Sequence, residues 1–121
     1  MMEEMSREKC EEAYEVVSKV ARNTALVESE YLSNITGNKV YLKPENMQVT
    51  GAYKIRGAYY KISQLSDEER AKGLITASAG NHAQGVAYAA KAYNCKAVIV
   101  MPTSTPLIKT SRRRILSGIT P

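Results

Sequence analysis

Apolar residues at Cys10, Ala13, Tyr14, Val17, Val20 and Ala21 recur at helical spacing. They predict an amphipathic helix over residues 6–21, with Ser6 as its cap and Glu8, Lys9, Glu11, Glu12 and Lys19 facing water. Residues 26–32 and 39–43 read as extended segments around a turn at Thr36, Gly37 and Asn38, and Pro44 ends the second. A hairpin is expected there. A second helix is predicted over residues 52–65, because Ile55, Ala58, Tyr59, Ile62 and Leu65 share one face. Lys54 falls in its first turn. Ser66 and Glu69 stand in the spacing of a capping box, opening a short helix that Gly73 stops.

Residues 74–77 then form a short apolar run, Ala83, Val86, Ala87 and Ala90 a helical stripe, and residues 97–101 an uninterrupted apolar segment. This is the pattern of a βαβ unit. It predicts an α/β fold with a parallel sheet, both strands buried on two faces, and a right-handed crossover. Thr105 and Pro106 read as the cap and first position of a further helix. The remaining residues support that helix poorly, since Arg112, Arg113, Arg114, Gly118 and Pro121 leave only Ile115, Leu116 and Ile119 to bury.

A chain of 121 residues with 44% apolar and 24% charged residues has the size and balance of one soluble domain, which excludes a disordered, collagen-like or disulfide-scaffold class. Of the net charge of +5, four basic residues from Lys109 onward take all but +1, so nucleic-acid binding by the body loses its best argument. Cys10 and Cys95 lack metal-ligand spacing, and reduced, buried thiols are expected. No run approaches the roughly 18 apolar residues of a membrane span, and the acidic, amphipathic N-terminus has no apolar signal core. A cytoplasmic location is the expectation.

Two places can carry chemistry. The turn Ser78-Ala79-Gly80-Asn81-His82 joins a strand to a helix N-terminus, where free N–H groups and the helix dipole suit a carboxylate or phosphate. Gly80 permits close backbone approach, although a cap and a glycine also serve any strand-to-helix turn. The turn fails the nucleotide templates: Gly80 and Gly85 have Walker spacing, but Val86 and Ala87 stand where Lys and Ser or Thr are required. Lys54 is the second place. The helix dipole and partial burial beside Tyr53 would favour a neutral amine suited to Schiff-base chemistry, and the Tyr53 ring could pack on a flat cofactor. A lone lysine on an amphipathic helix is otherwise a solvated surface residue. His82, the sole histidine, suits loop orientation better than a triad or metal cluster. Tyr53, Tyr59, Tyr60, Tyr88 and Tyr93 recur at helical spacings that fit core packing.

Four segments taken in order change the picture: Tyr41 to Gln48 (YLKPENMQ), Thr50 to Ala58 (TGAYKIRGA), Ser78 to Ala87 (SAGNHAQGVA), and Met101-Pro102 with Thr105-Pro106 and Lys109. Together they resemble the threonine dehydratase (threonine ammonia-lyase) family, part of the fold-type II pyridoxal-phosphate group that includes serine dehydratase, serine racemase and the tryptophan synthase β subunit. The similarity covers residues 24–109. It implies a partial, tryptophan synthase β-like domain, cut short, over residues 1–108, with a divergent basic tail over 109–121.

The resemblance implies that Lys54 bonds the cofactor aldehyde and serves as the base at the substrate Cα. It implies that Asn81 bonds the ring hydroxyl, Tyr53 lies against the ring, and Ser78, Ala79, Gly80, Asn81 and His82 hold the substrate carboxylate. Threonine would give 2-oxobutanoate, or serine pyruvate, with ammonia, in isoleucine biosynthesis or threonine catabolism, and no metal is implied. A complete member would be a cytoplasmic homo-oligomer with a small amino-acid substrate and no membrane or nucleic-acid partner. Tyr53, Ala52 and Ala25 depart mildly from positions where members usually have phenylalanine, serine and proline. Members are longer, and their glycine-rich phosphate loop falls beyond residue 121. The expectation is an N-terminal fragment, from truncation or a frameshift, that binds the cofactor weakly or not at all and is inactive alone. Serine dehydratase or racemase activity, and a non-catalytic remnant with a basic interaction tail, are the alternatives.

Overall fold

The structure, a computed structural model, describes residues 5–105. The predicted helix at Thr105-Pro106 and the basic tail therefore lie outside the described residues.

Helix α1 spans Arg7–Val17, and the Ser6 hydroxyl accepts from the Lys9 amide at 3.3 Å as a cap. It ends short of residue 21 because the Val20 amide donates to the Val17 carbonyl, an i to i+3 bond that tightens the chain into a turn. Val16 and Val20 still pack on the core.

The expected hairpin is corrected. Strand β1 (Val27–Glu28) does pair antiparallel with β2 (Tyr41–Leu42), but helix α2 (Glu30–Thr36) lies between them. The Ser29 hydroxyl caps α2 by accepting from the Leu32 amide at 3.3 Å. Gly37 closes it in the left-handed region at φ 68°, where a Cβ would be strained. The Ser33 hydroxyl then accepts from the Val40 amide at 2.9 Å, tying helix to strand.

A single 3-10 turn, Glu45–Met47, leads to helix α3 (Lys54–Ser63). Helix α4 (Asp67–Ala71) opens on the expected capping box, both halves formed by Ser66 and Glu69, and Gly73 follows at φ 84°. Strand β3 (Leu74–Ala77), helix α5 (Asn81–Ala92) and strand β4 (Ala97–Val100) make the expected βαβ unit, with β3 and β4 parallel from Leu74 opposite Ala97 to Ala77 opposite Val100.

The core lies where α3 and α5 meet β4: Ala58, Tyr59, Ile62, Val86, Ala89, Ala90 and Ala97, with the Tyr59 and Tyr93 rings 5.0 Å apart. Burial on both faces of the strands is not what the described residues show. Ile75, Val98 and Val100 are 78%, 58% and 52% exposed, because α5 covers one face of β3 and β4 and no described element covers the other. Both cysteines are free, as expected, but their burial is corrected: Cys10 is exposed and Cys95 half-buried.

Candidate active site

Helix α3 begins at Lys54 and α5 at Asn81, so the two positions singled out in the sequence are the leading ends of the molecule's best-packed helical pair. Gly85 sets how closely they meet. A Cβ added there would stand 3.0 Å from the Lys54 carbonyl oxygen and 3.3 Å from the Ala58 Cβ. Only hydrogen fits that gap without displacing the first turn of α3.

Lys54 is exposed, which corrects the partial burial expected beside Tyr53. Its Nζ stands 5.0 Å from the centroid of the Tyr53 ring, itself 57% exposed. Both residues line a cavity of about 570 Å³ walled by α3, β3 and the start of α5, with Ile62, Leu74 and Val86 among its apolar surfaces. His82 lines the same cavity; Ser78, Ala79, Gly80 and Asn81 do not. Lys54, Lys61 and His82 line it, Arg56 borders it with its guanidinium engaged by Glu45, and no carboxylate is among its lining residues, so it can take an anionic ligand.

Within the turn, the Ser78 hydroxyl accepts from the Gly80 amide at 3.3 Å, and the Ser78 amide donates to the Val100 carbonyl at 2.9 Å. That is a structural use of Ser78. Gly80 stands at the cap position of α5 with no side-chain cap bond. A glycine cap brings no side chain of its own to compete with a ligand anion for the first amides of this twelve-residue helix.

A polar cluster braces the approach to Lys54. Arg56 donates from Nε and Nη2 to the two carboxylate oxygens of Glu45, each at 2.9 Å. Thr24 Oγ1 and Gln48 Nε2 donate to the same carboxylate at 3.2 and 3.3 Å. Gln48 also bridges Arg22, donating to its carbonyl at 2.7 Å and accepting from its amide at 2.9 Å, while the Lys43 amine donates to the Thr24 carbonyl. The Arg56 guanidinium, by hydrogen bonding, holds the Glu45 carboxyl at about 2, far below its usual value. Sequence reasoning quoted Lys43, Glu45, Gln48 and Arg56 within motifs but assigned them no role, and it did not single out Arg22 or Thr24 at all. It also missed the contact of Gly85 with Lys54, since neither arrangement leaves a local periodic signal.

The residues present fit pyridoxal phosphate. Lys54 offers a primary amine for an aldehyde and Tyr53 an exposed ring face, and the lysines lining the cavity suit an anionic cofactor. Residues 17–117 match the family described as pyridoxal-phosphate dependent enzyme. The chain belongs to that family. It is 52% identical over 111 residues to the L-threonine ammonia-lyase of Thermotoga maritima, a match covering 92% of this chain and 28% of that protein. Among solved structures, the processed threonine deaminase isoform 2 of Solanum lycopersicum superposes with a TM-score of 0.78 at 44% identity, over 93% of this chain and 32% of that one. Maize serine racemase superposes with a TM-score of 0.86 at 36% identity, over 93% and 34%. The chain thus spans about 28% of the length of the curated relative. As a family member it is an α/β portion of a fold-type II domain. Among the described residues no helix is long and apolar enough to cross a membrane, and no group of three metal-ligating side chains occurs.

Proposed function

We propose that this chain supplies the amine-bearing part of a pyridoxal-phosphate-dependent ammonia-lyase that converts threonine to 2-oxobutanoate and ammonia, or serine to pyruvate and ammonia. The observation that carries the proposal is the single cavity lined by Lys54, Tyr53 and His82. Bound pyridoxal phosphate supplies an aldehyde that captures an amine and a ring that draws electron density from the substrate Cα. Lys54 would hold the cofactor through its side-chain amine, and the same amine would serve as the base at the substrate Cα. Tyr53 supports one ring face, and Asn81 donates to the ring hydroxyl. The backbone of Ser78, Ala79, Gly80, Asn81 and His82 receives the substrate carboxylate at the positive end of α5. The net conversion balances with no further reactant, since the water lost from Cα and Cβ is matched by the water taken up when nitrogen is released as ammonia.

The same reading makes the complete enzyme a cytoplasmic homo-oligomer serving isoleucine biosynthesis or threonine catabolism, with no nucleic-acid partner and no metal. Likeness to maize serine racemase favours a second reading, in which the same residues serve a serine racemase or dehydratase.

Grafting residues 17–105 into the corresponding stretch of the Thermotoga maritima enzyme tests the proposal. The chimera is expected to release 2-oxobutanoate from threonine and to lose at least about a thousandfold in rate with Lys54→Ala. A chimera whose turnover survives that substitution would contradict it.

A further inference from the structure

We infer that the Glu45–Arg56 pair is a positioning device that fixes where the Lys54 amine stands in the cavity, an inference that rests on the proposed role of Lys54. Arg56 comes two positions after Lys54, and residues so spaced on a helix project to different sides. The pair can therefore grip the first turn of α3 without taking the place of the amine. Its grip is two-pronged: Nε and Nη2 each meet one carboxylate oxygen at 2.9 Å, a planar match that restrains direction as well as distance. Arg56 Nη2 also reaches the Arg22 carbonyl at 3.4 Å.

The far side of the pair is itself anchored. Thr24 and Gln48, which both donate to Glu45, are 9% and 4% exposed. Gln48 in turn holds the Arg22 backbone at both its amide and its carbonyl. Three separate stretches, around residues 22–24, 45–48 and 54–56, are thereby fixed to one another at the start of α3. The side chains of Arg56 and Glu45 remain 35% and 21% exposed, so the pair is better suited to fixing orientation than to supplying bulk stability.

The test treats the full chain with pyridoxal phosphate, reduces it with borohydride, and reads by peptide mapping the ratio of pyridoxyl label on Lys54 to that on Lys61. Lys61 lines the same cavity two turns further along α3, so general loosening moves both lysines together while loss of the clamp moves the ratio. At a temperature where thermal melts show each variant folded, Arg56→Lys and Glu45→Gln are each expected to lower the ratio at least threefold. The double variant should be no worse than the worse single, because the two groups act as one unit. An unchanged ratio, a ratio that falls only in step with the folded fraction, or single effects that multiply in the double would overturn the inference. If Arg56→Lys does not fold, Glu45→Gln decides alone. Label scattered over the lysines of the unaltered chain would sink the proposed function instead, and hydrogen exchange would then judge the clamp. Faster exchange in the variants at residues 56–59, with Ala89 and Ala90 unchanged, supports it; uniform acceleration overturns it.

Discussion

Helices α3 and α5 bury many small side chains, Ala58, Ala83, Ala87, Ala89 and Ala90, alongside Tyr59, Ile62 and Val86, whereas α2, which links β1 to β2 in sequence, buries none of its residues. Tyr31 and Ile35 of that helix are 73% and 64% exposed, as are Leu26, Val27, Tyr41 and Leu42 around it in large part. The lobe is instead kept in shape by capping and ladder hydrogen bonds. Both helices of the close-packed pair begin at candidate site residues, so the site is built on the part of the molecule with the least freedom to shift.

The sharpest way to break the contrast is Ile55→Ala. Ile55 is the one large side chain fully buried among the described residues, and its truncation should cost about 2–5 kcal/mol of stability in urea melts. Next comes a matched pair of glycines. Gly85→Ala should cost about 1–3 kcal/mol, because crowding against the Lys54 carbonyl outweighs the helix-propensity gain of up to about 1 kcal/mol. Gly57→Ala, where an added Cβ meets nothing within 4 Å, should keep that gain. Equal responses at the two glycines would mean that the approach of α5 to Lys54 does not constrain position 85.

Glu45 gives a smaller, pH-dependent effect. Its carboxyl is lowered from 4.5 to about 2, chiefly by hydrogen bonding from Arg56, so its contribution is full above 4.5 and is lost as pH falls toward 2. The stability gap between the unaltered chain and Glu45→Gln should therefore narrow across that window in urea midpoints, and a constant gap would contradict the assignment. Least of all, Ile35→Ser in the exposed lobe should stay within about 0.5 kcal/mol.

Much of this was legible in the chain because it is written locally. The Ser66 and Glu69 capping box, a helix with Lys54 in its first turn and the successive elements of the βαβ unit from Leu74 to Val100 each arise from spacing within a dozen or so residues, although α3 starts at Lys54 and not at residue 52. Helix α2 was not legible, since Ser29 and Gly37, which cap it, are also the residues that end a strand and make a turn. The apolar runs of β3 and β4 were read as buried on two faces, but a run of apolar residues says only that cover is wanted. What would cover Ile75, Val98 and Val100 is not among the described residues. At the site, Lys54 and Asn81 gained roles only through resemblance, and the exposure of Lys54 ran against the local argument made for it. Glu45 with Arg56, and Gly85 with Lys54, come together through folding across separate elements, which no periodicity records.

One cavity joins Lys54 to the start of α5, and His82 is a unique reporter of it because the chain has a single histidine. The direct measurement tracks the His82 ring protons by NMR as pyridoxal phosphate is added to the unaltered chain and to Lys54→Ala. A saturable shift that Lys54→Ala abolishes is the predicted result; an adduct on Lys54 that leaves the His82 resonances unmoved would contradict it.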